Sequence, residues 1–233
     1  MSLNGKYSLG ILLTFVLLAL VMLYAIPVIN HITVTAGITS EKFFYTRVIL
    51  WMVFILIFLY SLVIEKQSFL LWEEKKYSIV FYLGTITKMY FICLLGGGLL
   101  NALVQILTHE EFSGTLLNLT LIFKNNYPLI IWTCITAGVV EEFLMRGYIQ
   151  TRLEKIYGNP YFGIIISAVL FGMLHSTYGT VAQVIVPFFI GIVFAAFYKL
   201  YSNIKILIIC HFMYDFISLM LMNFINLKHI SAL

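Results

Sequence analysis

Seven stretches of this chain are long and apolar enough to decide its architecture: 9–29, 45–64, 87–107, 129–150, 160–178, 181–201 and 204–226. A helix needs about 20 mostly apolar residues to cross the hydrocarbon core of a bilayer. The expected fold is therefore all-α, a polytopic integral membrane bundle of about seven transmembrane helices. No repeat, low-complexity tract or soluble domain shows itself, so 1–233 reads as a single membrane domain. The third stretch has an ambiguous start, because "SIVFYLGTI" (78–86) is apolar as well and Lys88 divides it from the longer apolar run. That piece is either an early start of the third helix or a short interfacial segment, and Lys88 snorkelling at the membrane surface is the preferred reading. The first stretch comes after Lys6 in the manner of a signal peptide. It is too long for one and no small-residue cleavage site lies close behind it, so it is expected to stay uncleaved.

Only 10 % of the residues are charged, against about a quarter in a soluble domain, so their placement is informative. Lys6, Lys66, Lys75, Lys76, Arg152, Lys155, Lys199 and Lys205 fall at the N-terminus and in the even-numbered loops. Lys42, Arg47, Lys124 and Lys228 fall on the opposite side. The positive-inside bias then gives a cytoplasmic N-terminus and an outside C-terminus. The run "EEKKY" (73–77) reads as a solvated cytoplasmic face. A net charge of +4, spread over loops, argues against a nucleic-acid partner and leaves the lipid bilayer as the surrounding partner. Cys93, Cys134 and Cys210 lie scattered in apolar runs without a CxxC spacing, and read as small buried hydrophobes rather than disulfides or zinc thiolates.

Of the ten acids, Glu41, Glu65, Glu73, Glu74, Glu110, Glu111 and Glu154 fall in predicted loops, whereas Glu141, Glu142 and Asp215 do not. Of the five histidines, His31, His109 and His229 fall in loops or the tail, while His175 and His211 lie inside spans. Arg146 joins them near the end of the fourth span. An ionisable group at the centre of a membrane helix costs about 2.5–3.5 kcal/mol on the insertion scale. These six groups, on the fourth, fifth and seventh spans, are expected to converge on one cavity.

Their spacing supports convergence. Glu142 and Arg146 are four apart and share a helical face, so the pair neutralises the arginine and fixes Glu142. Glu141 lies about 100° further round, unpaired by Arg146. His211 and Asp215 are again four apart, which lets the carboxylate orient the imidazole. Phe171 stands one turn before His175 on the same face. Taken singly, each has a plain structural reading: a clamp, a helix–helix hydrogen bond, a packed phenylalanine. Together they supply what activation of a water molecule requires.

"EEFLMR" (141–146) is similar to an EExxxR motif, "FGMLH" (171–175) to FxxxH, and "HFMYD" (211–215) to HxxxN/D. In that order, each within an apolar span, they resemble the signature of the CPBP family, also called Abi or CAAX-protease-like intramembrane proteases, over about 129–226. The resemblance implies an intramembrane endopeptidase acting on a peptide or membrane-protein substrate. Family members trim prenylated CAAX proteins or serve bacteriocin maturation and self-immunity. It also implies roles: Glu141 as general base, His175 holding and activating the water, and His211 with Asp215 stabilising the oxyanion or positioning the peptide. Glu142, Arg146 and Phe171 would be structural or positioning residues. The prenyl-protein members carry asparagine where this chain has Asp215, so Asp215 is expected to orient His211 as an imidazolium or to bind metal.

Metal dependence stays open at this point. A zinc site would use His175 and His211 with Glu141 or Asp215, leaving a position for water. The HExxH pattern is absent, since "THEEF" (108–112) lacks the second histidine, and a metal-free glutamate mechanism is preferred over one zinc ion. The competing class is a non-catalytic immunity or scaffold protein that binds a peptide in the same cavity. A proton-coupled transporter is disfavoured because no second half repeats the first. The Ile-, Phe-, Tyr-, Asn- and Lys-rich composition suggests a bacterial cell membrane.

Overall fold

Backbone in lipid must satisfy its own hydrogen bonds, which leaves helices or closed barrels. The computed structural model describes residues 1–110 and 113–224, and these form helices without a strand. Seven are long and apolar enough to span: α1 (Leu3–Thr33), α2 (Ser40–Glu65), α3 (Ile79–Thr108), α5 (Tyr127–Tyr157), α6 (Pro160–Tyr178), α7 (Ala182–Tyr201) and α8 (Ile204–Phe224). A short apolar helix, α4 (Gly114–Phe123), sits between α3 and α5. The chain is a multi-pass, all-α membrane bundle. Glu111, Lys228, His229 and positions 225–226 of the seventh expected span lie outside the described residues.

Caps set the helix ends beyond the apolar cores. Ser78 accepts a hydrogen bond from the Phe81 amide and starts α3, so 78–86 belongs to the third span and Lys88 is an exposed side chain within it. Thr39 caps α2 in the same way at the Lys42 amide. Asn126 caps α5, with Pro128 in its first turn, and Asn159 before Pro160 starts α6. Gly158, at φ +65°, lets α5 close in the left-handed conformation and turn at once into α6.

The most buried of the seven spans is α5. On one side Val140, Leu144, Tyr148 and Ile149 meet α1 and α2. On another, α3, α7 and α8 share a cluster around Met89, Phe194 and Leu207. Phe123 of α4 and Phe43 of α2 pack with Ile130 and Cys134 at the start of α5. Within α5 the α-helix widens into π-turns over Ala137–Glu141 and Phe143–Gln150. Thr136 prepares that change: its hydroxyl donates to the Trp132 carbonyl at 2.8 Å and accepts from Trp51 Nε1 at 3.1 Å. A hydroxyl inserted against the i−4 carbonyl bends a helix, and π-turns concentrate at functional sites.

Several charges read as loop residues are buried instead. Glu65 and Arg152 form an ion pair at 2.7 Å with both side chains fully enclosed, and Tyr148 donates to the same carboxylate at 2.5 Å. The π-turn Ser61–Glu65 extends α2 far enough to bring Glu65 into the bundle. Lys42 turns back over the α1–α2 connection and donates to Asn30 Oδ1 at 2.5 Å and the Thr35 carbonyl at 3.0 Å. Arg47, two turns into α2, is also buried. Glu74 is no purely solvated residue either, since it accepts from the Ile204 amide at 2.8 Å and holds the start of α8.

Candidate active site

The widened part of α5 carries Glu141, Glu142 and Arg146; the last turn of α6 begins at His175; α8 carries His211 and Asp215. Close helix crossings bring them together. A Cβ on Gly138 would stand 2.8 Å from the Ile208 carbonyl oxygen, so α8 meets α5 backbone to backbone one turn before His211. A Cβ on Gly172 would stand 2.9 Å from the Val184 carbonyl, which seats α7 against α6 between Phe171 and His175.

Glu142 is fully buried, and its Oε1 accepts from Arg146 Nη1 at 2.8 Å and from His211 Nδ1 at 2.7 Å. The Arg146 guanidinium lies 4.5 Å from the Phe171 ring centroid and 5.4 Å from that of Phe194. Phe171 thus acts as a wedge: it stacks beneath Arg146, meets the His211 ring edge-on at 6.2 Å and lies 4.7 Å from the His175 ring. His175 Nδ1 bonds the Phe171 carbonyl at 2.8 Å. A carbonyl only accepts, so Nδ1 carries the hydrogen and a neutral His175 keeps its lone pair on Nε2.

Glu141 has no hydrogen-bond partner among the described residues. It borders a cavity of about 250 Å³ together with His175, His211, Asp215, Tyr178 and Arg47. A second cavity of about 450 Å³ shares His175, His211, Tyr214 and Asp215 and extends between α3 and α7 along Gly97, Val186 and Ile190. Asp215 Oδ2 stands 3.6 Å from His211 Nε2, too far for a hydrogen bond. The imidazole is held by Glu142, where the sequence had suggested Asp215. Of the seven residues singled out from the sequence, Glu141, Phe171, His175, His211 and Asp215 line these two cavities, and Glu142 and Arg146 lie behind them against His211 and Phe171. Arg47 was missed as part of the wall. Its signal was available in the Thr39 cap, which moves the start of α2 forward and sets the arginine two turns inside.

Both imidazoles bond through Nδ1, as metal-ligating histidines also do. Among the described residues, however, no three His, Cys, Asp or Glu side chains gather at ligand spacing. The side chains as placed do not fit a resident zinc ion.

Residues 123–217 match the family model described as type II CAAX prenyl endopeptidase, Rce1-like. That segment belongs to the CAAX-protease family. The match runs from the end of α4 into α8 and includes every motif residue, while α1, α2 and α3 lie outside it. No curated protein and no solved structure matches the chain. Peptide-bond hydrolysis is the class of activity that the family matched by this segment indicates.

Proposed function

We propose that the protein is an intramembrane endopeptidase of the glutamate type. One observation carries the reading: two adjacent carboxylates divide the work. Glu142 is enclosed and committed to Arg146 and His211, whereas Glu141 borders the cavity with no partner among the described residues. A scaffold has no physical need for an uncommitted carboxylate within a membrane span.

The placement supports the following reaction. A peptide lies in the cavity with its carbonyl near Glu141 and His175. Glu141 takes a proton from a water molecule while the water oxygen bonds to the carbonyl carbon, and His175 Nε2 accepts from the same water. The carbonyl oxygen becomes an oxyanion facing His211 Nε2, which carries a proton when the ring is an imidazolium held by Glu142 at Nδ1. One such donor contributes about 2.7–4 kcal/mol of transition-state stabilisation. On collapse the C–N bond breaks, the proton held by Glu141 passes to the leaving nitrogen, and a carboxylic acid and an amine result. Asp215, 29 % exposed in its side chain, lines both cavities and balances the charge on His211.

The test is cleavage of a quenched-fluorescent library of hydrophobic peptides by the purified protein in liposomes, beside Glu141→Ala. Cleavage by the wild type alone is expected. Equal cleavage by both, or peptide binding without cleavage by the wild type, would contradict the reading.

A further inference from the structure

Arg47 has no part in the reaction above, yet it faces the same cavity. It is 7 % exposed, on the third turn of α2. Two contacts fix it. Its Nε donates to Thr46 Oγ1 at 3.3 Å, and its guanidinium carbon lies 4.6 Å from the Phe43 ring centroid. Thr46 is itself tied to the Phe43 carbonyl at 2.7 Å, so both supports belong to one turn of helix. The terminal nitrogens Nη1 and Nη2 have no acceptor, and no carboxylate stands at ion-pair distance, among the described residues. Burying a guanidinium without an anion is unfavourable.

Three adjoining cavities meet at this side chain. One is the cavity of about 250 Å³ that holds Glu141. A second, of about 150 Å³, runs between α1, α2 and α4 along Met22, Ile38 and Leu119. The third is a cleft of about 40 Å³ beside Glu141 and His175. Tyr178 borders all three with Arg47. A chain threaded past Glu141 therefore runs along a planar cation whose fork is still open.

We propose that Arg47 is a substrate-binding residue that takes a carboxylate of the peptide, either its free C-terminus or an Asp or Glu side chain. The proposal rests on the endopeptidase reading. A guanidinium held over an aromatic ring, with its terminal nitrogens free among the described residues, presents two parallel N–H groups, the geometry that a carboxylate accepts best. Glu141 and Asp215 line the same cavity and repel an anion. The carboxylate is thus drawn to Arg47 rather than to the acidic residues of the wall.

The experiment uses three probes on the full chain in detergent: a fluorescent hydrophobic peptide with a free C-terminus, its C-terminal amide, and the amide carrying one glutamate near that end. Binding is measured on Glu141→Gln, alone and combined with Arg47→Gln or Arg47→Lys, and cleavage is measured on the wild type. The acid should bind about ten-fold or more tightly than the plain amide, as expected for a charge-assisted hydrogen bond. Tighter binding of the free acid than of either amide assigns the site to the C-terminus, and tighter binding of the glutamate-bearing amide alone assigns it to a side-chain carboxylate. Arg47→Gln should level acid and amide to within about two-fold, with Arg47→Lys intermediate. If Arg47→Gln fails to fold, the acid-to-amide ratio of the arginine-bearing protein decides. Equal binding of all three probes, a preference that survives Arg47→Gln, or no binding of any probe would overturn the proposal. Arg47-dependent binding of the acid without cleavage by the wild type would instead sink the endopeptidase reading and leave this one standing.

Discussion

The Nδ1–H of His211 on α8 reaches Oε1 of Glu142 on α5 at 2.7 Å, the same oxygen that Arg146 holds at 2.8 Å. The motif helix therefore does more than carry a base. Through one enclosed carboxylate it fixes the ring orientation of a histidine on another span and leaves the adjacent glutamate uncommitted.

Removing Arg146 should damage the fold as much as the chemistry. Arg146→Ala leaves Glu142 with a single partner in a fully buried setting, and breaking one member of a buried pair costs about 3–5 kcal/mol. A thermal melt in detergent should show the loss. The double variant Glu142→Gln, Arg146→Met should regain a large part of the stability while staying inactive, because His211 loses the carboxylate charge that stabilises its imidazolium. A double variant no more stable than Arg146→Ala would show that the pair is not a clamp.

The α5–α8 crossing is the second point of leverage. Gly138→Ala places a Cβ 2.8 Å from the Ile208 carbonyl, which is backbone and has to shift. Overpacking of this kind costs about 1–3 kcal/mol, and the shift moves His211 relative to Glu142. Turnover should fall further than stability does. Gly98→Ala is the control, since its added Cβ meets nothing within 4 Å and the change removes a helix-weakening glycine. Equal behaviour of the two variants would count against the crossing as the positioning device.

Asp215 separates the metal-free mechanism from a zinc mechanism. It stands 3.6 Å from His211 Nε2 and makes no hydrogen bond to it, so Asp215→Asn should keep roughly a tenth or more of the activity, a loss of about 1.4 kcal/mol at most in transition-state binding. Activity should survive chelators, and metal analysis of the purified protein should show no stoichiometric zinc. A folded, inactive, metal-depleted Asp215→Asn beside a zinc-replete active parent would reverse the assignment.

How far the sequence led depends on whether a feature is local. Hydropathy alone gave seven spans, because twenty apolar residues in a row need no partner to be recognised. The Glu142–Arg146 pair was legible because i and i+4 meet on any helix. The bond from His211 to Glu142 was not, because it depends on how closely α8 approaches Gly138, and nothing local to "HFMYD" carries that. Glu65 and Arg152 were read as surface charges for the same reason. Each lies near a span end, and only their meeting across 87 positions, with Tyr148 on the same carboxylate, makes burial tolerable. The short helix α4 fell below spanning length and was passed over, although Ser113 before an apolar run marks its start. The π-turns of α5 have no separate sequence signature among these residues.

Outside the spans, Glu74 gives a pH signature. Its carboxyl is raised above its ordinary value of 4.5, first by burial, while the Ile204 amide and the Tyr198 hydroxyl act the other way. A raised folded pKa means that the folded chain holds this proton more tightly than the unfolded chain. The stabilisation is fully present below about 4.5 and is lost as pH rises through the folded value. Melting temperatures of the wild type and Glu74→Gln between pH 4 and 7 should show the wild type losing ground to the variant as pH rises. A wild type that gains on the variant over that range would mean that the two hydrogen bonds outweigh burial.

The central claim is that Glu141 itself is the base, and Glu141→Gln tests it with the least disturbance, since the amide is nearly the same shape and cannot take a proton from water. The measurement is kcat/KM on a peptide cleaved by the wild type, with the variant's melting temperature as the check on folding. The account predicts an unchanged melt and a kcat/KM lower by about 100-fold or more, the range for a lost general base. A folded Glu141→Gln protein that cleaves the peptide within a few-fold of the wild-type rate would contradict it.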